Sequence, residues 1–142
     1  MRWVLASDHA GFDLKEHLEA RLRALGDEVI DLGPHDASST DYPDWGHLLA
    51  TRLVEGVADR GLLVCGSGIG ISIAANRHAG VRAALCHDEF TARASRQHND
   101  ANVLALGARV VGVGVAEGIL ESFRSTAFEG GRHAARVQKI DR

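Results

Sequence analysis

Only two of the 142 residues are cysteine, two are proline, and the aromatics are limited to four Phe, two Trp and one Tyr. Cys65 and Cys86 lie in separate apolar segments and form no CxxC pair, which excludes a disulfide framework and a structural zinc site and suits a reducing cytosol. Excess positive charge is also missing: 16 Lys and Arg stand against 19 Asp and Glu, a formal net charge of −3. Nothing here suits a polyphosphate backbone, and no nucleic-acid partner is expected. Glycine or charge breaks every apolar stretch well short of the roughly 20 residues that span a bilayer, so no membrane partner is expected either. The start, Met1-Arg2-Trp3-Val4-Leu5-Ala6-Ser7-Asp8, meets an acid too early for a secretory leader. The expectation is a cytoplasmic chain with a single domain over 1–142, since a domain takes roughly 150 residues.

What is abundant is glycine, with 16, and histidine, with 8. The glycines cluster, which points to close backbone approaches more than to ring packing. Short β-rich runs at 2–7, 28–32, 61–65, 81–86 and 102–107 alternate with stretches of helical period. Leu14, Leu18, Leu22 and Leu25 form one apolar stripe, stopped by Gly26. Trp45, Leu48, Leu49 and Leu53 form another behind Pro43 and a candidate N-cap at Asp44, and Val115, Ile119, Leu120 and Phe123 a third. A last helix follows Gly130-Gly131 and covers about 132–141. Strands separated by helices predict an α/β fold: a Rossmann-like αβα sandwich around a five-stranded parallel sheet with helices on both faces.

Open parallel sheets bind ligands beyond the carboxyl ends of their strands. Here those ends are polar: Asp8-His9 after the first strand, Cys65 and the loop Gly66-Ser67-Gly68-Ile69-Gly70 after the third, His87-Asp88 after the fourth, and Arg109 after the fifth. The glycine loop can aim backbone N–H groups at an anion. It fails as a dinucleotide fingerprint, because Ile71 stands where GxGxxG needs glycine, and as a Walker A loop, because it lacks Lys-Ser/Thr. A tight turn without a ligand remains the alternative. Cys65, just before a helix N-terminus, is placed to supply a thiolate. The alternative is an inert buried thiol, and Cys86 is read that way. A phosphatase would need Arg six residues after its cysteine, where Ile71 stands. His98 shares a four-residue spacing with Phe90 and Ala94, predicting a face turned inward or toward a partner subunit. It is an acid/base candidate or a structural histidine. Arg132 and Arg136, four apart, can grip a dianion together and suggest a phosphate pocket with Arg109 and His9, or else form a solvated basic face. The histidines show no HxxxH or comparable spacing beside carboxylates, so no metal site is expected.

Several motifs in order, Ser7-Asp8-His9-Ala10-Gly11, Asp41-Tyr42-Pro43, the run from Cys65 to Asn76, Ser95 to Leu104 and Gly130-Gly131-Arg132-His133, closely resemble the ribose-5-phosphate isomerase B family over essentially the whole chain. The resemblance implies an aldose-ketose isomerase that needs neither metal nor cofactor and interconverts ribose 5-phosphate and ribulose 5-phosphate, a step of the pentose phosphate pathway, through an enediolate. It assigns Cys65 as the base between carbons 2 and 1, Gly66 to Gly70 with Ser67 as oxyanion donors, and His98 as the acid/base that opens the furanose ring. Asp8 and Asn99 match positions that hold sugar oxygens. His9, Arg109, Arg132 and Arg136 match substrate-binding positions, chiefly at the phosphate, and Tyr42 matches a pocket residue. One branch of the family uses a glutamate where Ile71 stands, so Cys65 with Ile71 places this chain in the cysteine branch. Family pockets are shared between two subunits, implying a homodimer, with a tetramer open. Relatives acting on allose 6-phosphate or galactose 6-phosphate leave the sugar open, and a non-catalytic sugar-phosphate-binding module is the alternative from another class.

Overall fold

The computed structural model describes residues 1–141. Strands β1 (Arg2–Ser7), β2 (Glu28–Asp31), β3 (Arg60–Cys65), β4 (Ala83–Leu85) and β5 (Val103–Gly107) alternate with helices α1 (Phe12–Ala24), α2 (Tyr42–Val54), α3 (Ile69–Ala75), α4 (Glu89–Asn99) and α5 (Val113–Ser125), and α6 (Arg132–Ile140) ends the chain. All four strand pairings are parallel, in the order β2-β1-β3-β5-β4. This is the predicted five-stranded αβα sandwich.

Side chains alternate across a strand, so each inner strand feeds two cores. Trp3, Leu5, Leu62, Val64, Leu104 and Leu106 face one side, where Leu14, Leu18 and Leu22 of α1 and Ile119, Leu120 and Phe123 of α5 cover them. Val4, Ala6, Leu63, Val103 and Ala105 face the other, under Leu49 and Ala50 of α2 and Ile71 and Ala75 of α3. Gly46 allows the close approach of α2 to α3: a Cβ there would lie 2.9 Å from the Ile71 carbonyl oxygen. The chain moves one way from β1 to β2 and the other way to β3. The carboxyl ends of β1 and β3 therefore flank the topological switch point, where an open α/β sheet leaves a crevice.

Three expectations need correction. The fourth strand is only Ala83–Leu85, because it lies at the sheet edge and the Asn76 side chain takes over its outer pairing, accepting from Ala83 N at 2.7 Å and donating to Ala83 O at 2.9 Å. Helix α2 begins at Tyr42 with Asp41, not Asp44, in the cap position, and Pro43 sits within its first turn, where a missing N–H costs nothing. Helix α4 buries Ala92, Ser95 and Arg96, leaving Phe90 and His98 exposed. The inward reading of the His98 stripe is thus wrong: Phe90 and His98 face away from the core. No described helix is long and apolar enough to cross a membrane.

Candidate active site

Register places the site. Ser7 pairs with Val64 and Cys65 with Gly107, so the first residues beyond β1, β3 and β5 emerge side by side. Asp8 N donates to Val64 O at 3.2 Å, and Arg109 N to Gly66 O at 3.0 Å, tying the three exits to one another. The result is a cleft of about 650 Å³ lined by Asp8, His9, Tyr42, Cys65, Gly66, Ser67, Ile69, Gly70 and Arg109, with Ile73 and Val110 on its walls.

Cys65 is buried at the base of the cleft, 3% exposed. Its Sγ accepts the Gly68 N–H at 3.1 Å. The loop reaches this position because Gly68 adopts φ 77°, and a Cβ there would lie 2.8 Å from the Leu106 carbonyl carbon. Ile69 N donates to Ser67 Oγ at 3.2 Å. With Gly68 and Ile69 satisfied internally, the N–H groups of Gly66, Ser67 and Gly70 lack an acceptor among the described residues. They are the donors open to a ligand oxygen.

The other walls are held as firmly. Asp8 Oδ1 accepts from Gly11 N at 3.0 Å, and Gly11 must be glycine because a Cβ would collide with the Val64 backbone. His9 is exposed, with Nδ1 3.2 Å from both Thr40 N and Thr40 O, so the ring has a backbone partner at Nδ1 in either protonation state. The Arg109 guanidinium lies against Gly66, and the Tyr42 ring covers Gly70 so closely that a Cβ would enter it.

His98, Asn99, Arg132 and Arg136 do not line this cleft. Within one chain, then, the expected phosphate pocket of Arg132 and Arg136 with Arg109 and His9 does not form. The four residues make a second group where the end of α4 meets α6. All are exposed, and Asn99 also borders a separate groove of about 610 Å³ beside the 76–84 segment. The His98 ring stacks on His133, centroids 4.6 Å apart at 20°. Burial, then the neighbouring His98 and Arg132 charges, push the His133 imidazole below its ordinary range. His133 and Thr40 were not singled out for roles by their sequence. Thr40 acts through its backbone, which leaves no signal in the side chain, while His133 stands in the Gly130-Gly131-Arg132-His133 motif. A metal-competent grouping of His98, Glu129 and His133 also went unseen in the spacing, because His98 reaches the neighbouring pair Glu129 and His133 from a different segment.

Comparison with known proteins meets this geometry directly. The model of a family described as Ribose/Galactose Isomerase matches residues 4–140. Ribose-5-phosphate isomerase B of Escherichia coli is 48% identical over 133 residues, covering 94% of this chain and 89% of the relative. A putative sugar phosphate isomerase of Bacillus subtilis is 46% identical over 141 residues, covering 99% and 95%. The solved structure of Clostridium thermocellum ribose-5-phosphate isomerase B superposes with a TM-score of 0.98 at 50% identity, covering 99% of this chain and 95% of that one. With a match that spans both the cleft and the α4–α6 group, the chain belongs to the ribose/galactose isomerase family, among relatives named ribose-5-phosphate isomerase B.

Proposed function

We propose that the protein interconverts ribose 5-phosphate and ribulose 5-phosphate by proton transfer through an enediolate. The observation that carries the reading is the thiol of Cys65 at the floor of the cleft, beside open backbone donors of the glycine loop and the Arg109 guanidinium. Aldose-ketose exchange needs a base that removes the proton from carbon 2 and returns it to carbon 1, and donors aimed at the oxygen where charge develops. Cys65 thiolate serves as that base. The N–H groups of Ser67 and Gly70 and the Ser67 hydroxyl receive the enediolate oxygen. Asp8 holds sugar hydroxyls, His9 and Arg109 bind the phosphate end, and Tyr42 walls the sugar.

The ring-opening step needs an acid/base, and His98, the residue that the family resemblance matches to that role, does not line this cleft. His98 supplies it from a second copy of the chain, with Asn99 on the sugar and Arg132 and Arg136 on the phosphate. Two features support a homodimer: His98 points outward, and Ile69, Ile73 and Val110 at the cleft are 54%, 57% and 54% exposed. Apolar groups around an incomplete site suit a partner surface.

The test is conversion of ribose 5-phosphate by purified protein in EDTA, with Cys65→Ala beside it. Turnover by the wild type, reduced by at least about a hundredfold in the folded variant, is expected. Turnover only on allose or galactose 6-phosphate overturns the sugar assignment. Binding without turnover of any of the three favours the binding-module reading, and full activity of Cys65→Ala removes the thiol as base.

A further inference from the structure

The α4–α6 junction holds more than the proposed reaction uses. His98 from the last turn of α4, Glu129 from the loop after α5 and His133 from the first turn of α6 bring one ligating atom each within 4.8 Å of one another. The loop is fixed there: Glu129 N donates to Gln97 O at 3.1 Å, and His133 N to Gly130 O at 3.0 Å. Gly130 and Gly131, at φ 64° and 53°, reverse the chain so that the Glu129 carboxylate returns to within 3.5 Å of His133 Nε2.

Two imidazoles and one carboxylate form a donor set for a borderline divalent cation. A hard cation such as magnesium or calcium wants several oxygens and would find one carboxylate with Arg132 and Arg136 nearby. We infer that His98, Glu129 and His133 bind zinc or a similar imidazole-seeking divalent ion, with the remaining position open to solvent. His133 is buried and anchors the site, whereas His98 and Glu129 are exposed and free to adjust. Nearly parallel stacked rings do not aim their in-plane lone pairs at one point, so the His98 ring turns out of the stack on binding. Other clusters fit less well. The carboxylates of Glu16 and Asp31 already hold the Lys15 ammonium at 2.9 and 2.7 Å, and His47 and His78 bond each other at 2.8 Å with no third ligand grouped with them among the described residues.

The consequence for activity rests on the proposed function: an ion on His98 takes away the imidazole that opens the sugar ring. Zinc then inhibits the enzyme, and more strongly from ribose 5-phosphate, which is mainly cyclic, than from ribulose 5-phosphate, whose blocked oxygen 5 prevents a furanose ring.

The experiment uses untagged, EDTA-stripped protein, titrated with zinc by calorimetry and with cobalt(II) by visible absorption. One ion per chain is expected, with affinity reduced at least about tenfold in Glu129→Gln and in His98→Asn, both changes at exposed positions that spare the fold. Absence of binding overturns the proposal, and so does undiminished binding by both variants, which would place the ion elsewhere. These readouts need no turnover, so an inactive protein that binds zinc as expected would sink the isomerase reading and leave the site standing. In an active protein, Glu129→Gln should lose its zinc sensitivity while turning over in EDTA, and retained sensitivity would count against the site.

Discussion

At the scale of single residues, the chemistry depends on glycines as much as on the thiol. Gly68 supplies the hydrogen bond to Cys65 from a left-handed conformation, with its α-carbon facing the Leu106–Gly107 backbone. Alanine there meets backbone that cannot yield, besides about 1 kcal/mol of conformational strain. Gly68→Ala should lower kcat at least about tenfold as the loop donors shift, since misplaced donors lose transition-state stabilisation steeply. Turnover at saturating substrate with circular dichroism as a fold control checks this. Gly70→Ala should act differently: its Cβ displaces the Tyr42 ring rather than the thiol, so KM rises more than kcat falls. Equal losses in kcat from both variants would show that the loop moves as one body. Much of this was legible from residue types alone, because a thiol, a glycine loop and polar residues at strand ends are local signals. Which loop N–H groups are open was not, since Gly68 and Ile69 spend theirs on Cys65 and Ser67, a fact of side-chain placement.

At the scale of elements, the strand and helix order followed from period and punctuation, and the errors fell where tertiary context decides. The fourth strand was read too long because Val81 and Arg82 are apolar or extended enough to belong to a strand, yet Asn76 bonds to Ala83 and fixes the edge. The stripe on α4 misled because equal spacing marks a common face without saying which face is buried; Ala92, Ser95 and Arg96 won that place. A contact wholly hidden from the sequence joins the start of the sheet to the end of α5. Asp27 accepts from Arg124 Nε at 2.6 Å, Arg124 Nη2 at 3.0 Å and the Trp3 indole at 3.1 Å. Burial alone would raise its pKa, but the Arg124 guanidinium and the Met1 ammonium, 3.4 Å away, together outweigh this and hold the carboxyl below the ordinary value of 3.8. A depressed carboxylate stabilises the fold at pH values above that ordinary value and loses its contribution as pH falls through the lower folded value. Asp27→Asn should therefore cost roughly 2 kcal/mol at neutral pH, the scale of hydrogen bonds to a charged group. Denaturant melts of both proteins across the acid range should show the difference shrinking only below pH 3.8. A difference that persists into stronger acid would assign the effect to packing of Trp3 and Arg124 instead.

At the scale of the whole molecule, the two residue groups define an arrangement that neither sequence order nor one chain's cleft contains. Cys65 and Arg109 belong to the crevice at the switch point of the sheet, whereas His98 and the α6 arginines occupy the α4–α6 junction outside it. Sequence spacing set Cys65 and Arg109 at strand ends and His98, Arg132 and Arg136 on helices, but spacing cannot fix how far apart two elements lie. If two copies complete each site reciprocally, a two-fold symmetric dimer carries two sites, each built from Cys65 of one chain and His98 of the other. Cys65→Ala and His98→Asn alone should then both be inactive from ribose 5-phosphate. Mixed and allowed to exchange subunits, about half the dimers are hybrids, and each hybrid has one site with both groups intact and one with neither. Activity should recover to about a quarter of the wild-type level. If each chain instead folds its own His98 onto its own Cys65, no mixing ratio restores turnover, because every site lacks one group. Size-exclusion chromatography of the exchanged sample, with one variant carrying a larger fusion, verifies that hybrids formed. Recovery without hybrids would point to association during the assay, and hybrids without recovery would remove the shared site.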